Sequence, residues 1–436
     1  MYEQSLKKIT EKWESNEKIT IIFLVNENAK WKCQSVYDKF CADNRFDVKV
    51  VLTIADFDVY CDKKHRLEKL QSNEKFFLER NIKCEKGWNC EKDCAIDLHT
   101  FLPDIVFYQV PYNIAPNQNI DYASQFALCM YIPYYVNQSE EFSFMGTEEW
   151  HIKLFRFYVL NNYWKAVTAK NLHTQGENLY AVGHPIFDSY RNLTSMQNSS
   201  ISDSYIIYAA HWSVGAVDGL SSFLETGHFM LSYAKKHPEL PWCFTCHPTL
   251  LFNLVDKGFM SQQEVEDYVS EWKQIAYCPG TDGNYMELFQ NSRMLISDCG
   301  SFRLEYYPTG KTYIYLISNT AKRLNDGNFL SEICKNYHHV HNCAELKVVL
   351  DGILLQDNDC FKEARLKDRE TCDFLNQSSA EKIHSDIIKI CNKQNISCKA
   401  DFSLLEKQEH EKSLIQNYKD TIDFLSQRLN KMTLMV

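Results

Sequence analysis

Apolar residues along this chain gather in short unbroken runs, and between the runs they recur every three or four positions. Ile19 to Val25 is one such run; it reads as a buried strand closed by the turn Asn26-Glu27-Asn28. Trp31, Val36, Tyr37 and Phe40 then follow at helical spacing. Phe46 to Thr53 predicts the next strand, Asn73 to Asn81 a helix, and Asp104 to Gln109 a third strand that stops at Pro111-Tyr112-Asn113. Strands separated by helices cannot pair as hairpins, so the pattern predicts a parallel sheet.

The pattern resets at the polar, Ser-rich stretch Gln197 to Ser204, which reads as a linker. Tyr205 to Ala210, Trp242 to Cys246, Ile275 to Cys278, Met294 to Ser297 and Thr312 to Ile317 then predict strands. Helical spacing lies between them at His228 to Lys236, Gln262 to Trp272 and Tyr285 to Phe289. The expected fold is α/β, with two Rossmann-like doubly wound domains facing a cleft, over residues 1–196 and 197–375. Helical runs at Leu346 to Leu355 and Cys360 to Leu375 close the second domain, and residues 376–436 are expected to form a helical tail. Within that tail Ile415, Tyr418, Ile422, Leu425, Leu429 and Met432 are spaced 3, 4, 3, 4 and 3. This seam suits a helix packed on its own domain, a short coiled coil joining subunits, or a membrane-surface helix. Self-association and peripheral contact with the inner face of a membrane therefore stay open.

Composition narrows the function classes. The formal charge is −10, which argues against a nucleic-acid binder, because phosphate neutralisation needs clustered Lys and Arg. Met1 to Lys18 is polar and charged, and no apolar run approaches the ~20 residues of a membrane span, so the sequence predicts a cytoplasmic chain. In a reducing compartment its 17 cysteines are expected to be free thiols. Cys243-Phe244-Thr245-Cys246-His247 has the spacing of a haem attachment site, yet on a strand its two cysteines face opposite ways. Cys84, Cys90, Cys94 and His99 match no standard zinc spacing, and no metal is expected.

The candidate chemistry sits where strands end. In a parallel sheet those ends face the ligand crevice, which singles out His211 after Tyr205 to Ala210 and His247 after Trp242 to Cys246. Met294 to Ser297 ends at Asp298-Cys299-Gly300-Ser301, and a helix pattern starts at once with Phe302, Arg303, Leu304 and Glu305. A strand–turn–helix of this kind offers backbone N–H groups at the positive end of a helix, a site for phosphate. Gly300 permits close approach, Ser301 adds a hydroxyl, and Glu305 is placed for a ribose hydroxyl or for the helix N-terminus itself.

Taken in order, these pieces resemble the CDP-glycerol glycerophosphotransferase family, which includes the teichoic acid polymerases. The resemblance covers about residues 20–340. It rests on Gly183-His184-Pro185-Ile186-Phe187-Asp188, Ala209-Ala210-His211-Trp212, His247-Pro248, Glu287-Leu288, Asn291 to Ser301 with Glu305, and Thr309-Gly310-Lys311. It implies a GT-B architecture and a transferase that moves glycerol phosphate, or a related polyol phosphate, from a CDP-linked donor to a hydroxyl of a cell-surface glycan precursor, releasing CMP. It further implies that Asp298, Cys299, Gly300, Ser301, Arg303 and Glu305 surround the donor phosphates and that His247 assists the leaving group; the CDP-linked donor is a substrate, and no cofactor is implied. The polymerases carry a His motif in the first domain, where this chain reads Cys129-Met130-Tyr131-Ile132-Pro133-Tyr134-Tyr135. His184 and His211 remain as the candidates for the acceptor-side base. A GT-B enzyme using a nucleotide sugar, and an inactive GT-B scaffold that binds a partner through its C-terminal helix, are the alternative readings.

Overall fold

The computed structural model describes residues 2–55, 61–136, 149–170, 172, 174, 176–195, 205–216, 219–247, 249–279, 285–318, 327–372 and 374–394. Two parallel sheets organise them. The first begins with β1 (Ile19–Val25), β2 (Phe46–Leu52) and β3 (Cys84–Lys86); a small antiparallel pair, β4 (Trp88–Asn89) and β5 (Cys94–Ala95), follows beside it. It continues with β6 (Ile105–Tyr108), β7 (Leu128–Tyr131), β8 (Arg156–Val159) and β9 (Leu179–Ala181), in the spatial order β3-β2-β1-β6-β7-β8-β9. All its ladders are parallel. The run Ile19 to Val25 is apolar on both faces because both faces are covered. Ile21, Phe23 and Val25 join Phe40, Phe77 and Phe107 in one core, while Ile22 and Leu24 join Val106 and Tyr131 on the other side.

The second sheet contains β10 (Tyr205–Ala210), β11 (Trp242–Cys246), β12 (Ser292–Ser297), β13 (Thr312–Leu316) and β14 (His338–Val340), ordered β11-β10-β12-β13-β14 and again all parallel. Ile206 and Tyr208 face a core of its own, whereas Ile207 and Ala209 face a core shared with Leu160, Trp164, Ile186 and Tyr190 of the first unit. An apolar interface thus joins the two units. Cys243 and Cys246 fall on opposite sides of this sheet, as alternation requires. The sixteen cysteines among the described residues are all free.

Each sheet reverses its strand order once, between β1 and β6 in the first and between β10 and β12 in the second. In open α/β sheets the ligand crevice forms outside the carboxyl ends of the strands at such a reversal. The turns after β1, β10 and β12 are therefore the topologically favoured positions for a site.

Several elements differ from the sequence pattern. The helix read at Asn73 to Asn81 starts ten residues earlier, as Lys63–Leu78 capped by Asp62; its first half is mostly charged, with Leu67 and Leu70 as its apolar residues, of which Leu70 packs on the core. No strand forms at Ile275 to Cys278: the helix Gln262–Ile275, started by a Ser261–Glu264 capping box, runs through Ile275, and only Tyr277 bridges to Cys243. Strands β8, β9 and β14 lack a strong apolar run and are assembled by their neighbours. The helix Ser379–Cys391, placed in the tail by sequence, packs Ala380, Ile383, Ile387 and Ile390 into the core of the first unit. The Asp188 carboxylate accepts the Ser379 and Ala380 amides at 2.8 and 2.9 Å and so caps that helix. Gly183, at φ +90°, lets the backbone pass close by, since a Cβ there would lie 2.6 Å from Ser379 Oγ. The heptad seam from Ile415 to Met432 lies outside the described residues. Among those described, no helix is long and apolar enough to cross a membrane.

Candidate active site

A cleft of about 730 Å³ opens where the two sheets present their carboxyl ends. Glu27 and Ala29 line it from the turn after β1; His247, Thr249, Tyr285, Cys299 and Ser301 line it from the second unit.

Two histidines stand at the ends of adjacent strands, and both are built the same way. His247 follows β11, and its Nδ1 accepts the Thr249 amide at 3.3 Å and lies 3.0 Å from Thr249 Oγ1. His211 follows β10, and its Nδ1 accepts the Ser213 amide at 3.4 Å and lies 2.8 Å from Ser213 Oγ. The Ser213 hydroxyl oxygen already accepts the Leu220 and Ser221 amides, which turns its proton toward His211. In both rings Nδ1 is an acceptor, so the proton of the neutral imidazole sits on Nε2. Burial holds His211 neutral by lowering its pKa to about 4, and the neighbouring His247 adds to the shift. Burial also lowers His247, while the charge of Glu27 pulls it back up. The ring centroids are 6.4 Å apart. The arrangement is a pair of N–H donors at two adjacent strand ends, the geometry for charge that builds on a phosphate oxygen.

Asp298, at the end of β12, braces the His211 end of this pair. Its carboxylate accepts the His211 amide at 2.7 Å, the Ser222 amide at 2.6 Å and the Ser222 hydroxyl at 3.1 Å. It is buried, and burial raises its pKa to about 6 against the opposing pull of those donors. A carboxylate occupied by three internal donors holds the β10 turn to the helix Phe223–Lys236; it does not face an anion. Asp298→Asn should cost about 1–3 kcal/mol, because the amide sets a donor against donors already in place. Urea unfolding of the two chains measures the difference, and an unchanged midpoint would remove Asp298 from this bracing role.

No family model matches the sequence, and neither does any curated protein. Solved structures do match. UDP-GlcNAc 2-epimerase from Neisseria meningitidis bound to UDP-GlcNAc gives a TM-score of 0.55 at 14% identity, over 85% of this chain and 100% of that one. The S. aureus MnaA–UDP co-structure gives 0.54 at 11% identity, over 86% and 97%. The wall teichoic acid polymerase TagF soaked with CDPG gives 0.53 at 12% identity, over 89% and 94%. The chain has a GT-B-like fold. Identities this low carry architecture alone, and the chemistry has to come from the side chains in the cleft.

Within the GT-B-like cleft the helix that follows Asp298 differs from expectation. It is one turn, Phe302–Glu305, Ser301 makes no side-chain cap, and the chain passes at once into the 3-10 turn Tyr307–Thr309. A single turn sums few peptide dipoles, so its N-terminus is a weak anion site. Cys299 and Ser301 do line the cleft, with Cys299 Sγ 3.4 Å from Ser301 Oγ, and burial raises the Cys299 thiol to about 11. The Gly300 carbonyl accepts the Arg303 amide at 3.3 Å and Arg303 Nε at 3.4 Å. Arg303 itself is buried with its guanidinium 4.8 Å from the Tyr315 ring centre, turned into the protein and not onto a phosphate. Lys311 donates to the Phe289 and Gln290 carbonyls at 3.2 and 2.6 Å and so closes the helix Tyr285–Gln290.

Glu305 is buried behind this wall, and one of its oxygens, Oε2, has no hydrogen-bond partner among the described residues. Burial raises its pKa, opposed by Lys32 of the first unit and by a hydrogen bond with Tyr285. The Lys32 ammonium lies 4.5 Å from the centre of the Tyr285 ring and is lowered by burial, with Glu305 acting the other way. Lys32 and Glu305 are thus charges that meet across the two units, and no spacing in the sequence announces their pairing.

His184 is occupied elsewhere. Its Nε2 donates to the Pro133 carbonyl at 2.8 Å, and its Nδ1 accepts the Ile186 amide at 3.3 Å. Both ring nitrogens are engaged, so His184 has none left for acid–base work, and its place in the acceptor-side role falls away. Burial lowers its pKa to about 4. Because the folded value lies below the unfolded one, its contribution is fully present above the unfolded pKa of 6.5 and fades as pH falls toward 4. Urea unfolding of the parent and of His184→Gln should therefore differ most near pH 7, with up to about 3 kcal/mol of that difference lost by pH 4. A gap independent of pH would show that the ring is not held neutral.

The sequence pointed to His211, His247 and the Asp298 turn but passed over Ser213, Thr249 and Ser222, which orient them. A signal was present: His-x-Ser and His-x-Thr stand at the ends of two strands, at 211–213 and 247–249. Among the described residues no group of His, Cys, Asp and Glu is arranged to hold a metal ion.

Proposed function

We propose that this chain is a GT-B transferase that moves glycerol phosphate, or a related polyol phosphate, from a CDP-linked donor to a hydroxyl of a glycan precursor and releases CMP. The observation that carries the reading is the paired imidazoles of His211 and His247. Neutral and protonated on Nε2, they offer hydrogen bonds to an anion without adding charge, next to a cleft large enough for a nucleotide. As the bond between phosphorus and the leaving CMP lengthens, negative charge gathers on the CMP phosphate, and preoriented donors stabilise it there more than in the ground state. Asp298 sets the height of His211, and Ser301 adds a hydroxyl on the same wall. The order of motifs shared with the glycerophosphotransferases and the likeness to the wall teichoic acid polymerase support the same donor.

A second reading, transfer or rearrangement of a sugar held on UDP, is favoured by the equally close likeness to the UDP-GlcNAc 2-epimerase. The nucleotide released decides between them. The chain, incubated with CDP-glycerol, CDP-ribitol and UDP-linked sugars, should release CMP, and isothermal titration should show CDP bound more tightly than UDP. Release of UDP, or titrations in which UDP binds more tightly, would move the assignment to the second reading. Binding of neither nucleotide would leave the inactive scaffold.

A further inference from the structure

The donor half of the cleft is supplied by the second unit, and the acceptor half needs a group that takes a proton from the attacking hydroxyl. We propose that Glu27 is that group, the acceptor-side base of the cleft. This rests on the transferase reading above and adds to it the residue that the first unit contributes to the chemistry.

Glu27 lies in the turn after β1, at the point where the first sheet reverses its strand order. It lines the cleft, and its charge is felt at His247 on the opposite wall. Its carboxylate is held in place and is also reachable. Lys30 Nζ lies 2.8 Å from Glu27 Oε2, with the Glu27 side chain 31% exposed. Lys30 in turn sits 5.2 Å from the centre of the Tyr134 ring, which packs edge-on against Tyr135 at 5.2 Å. Tyr134 and Tyr135 end the segment where the resembling polymerases carry their His motif. Here that segment supplies no base; its Tyr134 packs against the lysine that orients Glu27.

The other groups near the acceptor side are poor bases. His184 has both nitrogens engaged. His211 has Nδ1 turned to Ser213. The phenols of Tyr131 and Tyr135 are raised by burial, the latter to about 12, and stay protonated. A carboxylate suffices, because the transition state of phosphoryl transfer is loose and the nucleophile loses its proton late. In the step, the acceptor oxygen bonds to phosphorus while the bridging P–O bond to CMP breaks. The electron pair of that bond leaves on CMP, whose phosphate takes a hydrogen bond from His247 Nε2–H, and the hydroxyl proton passes to Glu27.

The test compares the parent chain with Glu27→Gln, Glu27→Asp and Glu27→Ala, the last with and without formate. CMP release is followed from CDP-glycerol and CDP-ribitol, with glycerol and methyl glycosides as the acceptor hydroxyls, and CDP binding is titrated for each chain. Glu27→Gln should release CMP about 10²–10³-fold more slowly, with its CDP affinity within about twofold of the parent. Glu27→Asp should keep part of the rate, and formate should restore part of the Glu27→Ala rate, which a purely structural role would not allow. Parental CMP release by Glu27→Gln, a loss of CDP affinity as large as the loss of rate, or no response to formate overturns the assignment. A parent chain that fails to bind CDP or to release CMP overturns the transferase reading itself, and the two failures are thereby told apart.

Discussion

Asp386→Ala is expected to lower the free energy of unfolding by about 3–5 kcal/mol, because it strips a buried guanidinium of its carboxylate. Arg156 is fully buried, with its Nε 3.1 Å from Asp386 Oδ2, and the Tyr158 hydroxyl donates to the same oxygen at 2.9 Å. The guanidinium lies between the rings of Phe155 and Tyr180, 4.5 and 4.2 Å from their centres, so water cannot easily replace the lost partner. The charge pair fastens the helix Ser379–Cys391 to the first sheet, after the chain has already passed through the second unit. Urea unfolding gives the size of the effect, and hydrogen exchange should show that helix opening first. Replacing both partners, Arg156→Met with Asp386→Leu, should recover most of the loss, since an apolar pair of similar volume carries no desolvation penalty. A loss under about 1 kcal/mol for Asp386→Ala would mean that Ile383, Ile387 and Ile390 hold the helix unaided.

His247→Ala is expected to slow CMP release by about 10²–10³-fold, the effect of removing one preoriented donor from developing charge. The fold should survive, because the ring is exposed at the cleft and its side-chain hydrogen bonds are to Thr249, two residues on. CDP affinity should weaken less than the rate, since the hydrogen bond strengthens as charge moves onto the leaving phosphate. Thr249→Val gives a finer control. It removes the hydroxyl beside Nδ1 while leaving the imidazole, and so should cost less than His247→Ala. Equal rates for His247→Ala and the parent would take the leaving-group role from this residue, and the histidine-pair reading of the cleft would fail with it.

The fold was legible in most of the strands buried on both faces. β1, β2, β6, β10, β11, β12 and β13 coincide with largely apolar runs in the sequence, since a strand covered on both sides is mostly apolar; β2, with Asp47 and Lys49 at half-buried positions, is the least regular of them. β8, β9 and β14 were not legible: Arg156-Phe157-Tyr158-Val159 starts with a charge whose partner is 230 residues away, and β14 is the short edge strand His338-His339-Val340. Part of the site was legible for a related reason. Ligand crevices form at the carboxyl ends of parallel strands, so strand ends found by pattern also locate His211, His247 and the Asp298 turn. What each of these residues does was harder to read. Asp298 looked like part of a phosphate loop and is instead a brace, because its three donors come from residues 76 and 87 positions upstream.

By itself the sequence determined the alternation of strands and helices, the division into two α/β units, and the positions where chemistry-bearing residues leave the sheets. These follow from local periodicity and from burial, which each segment records in its own composition. Only the tertiary structure decided which side chains meet. It locked His184 against Pro133, turned Arg303 away from the cleft, gave His211 and His247 one shared tautomer, and set Glu27 across from His247. Hydrogen bonds and charge pairs between distant segments depend on distances of a few ångströms that no spacing along the chain encodes.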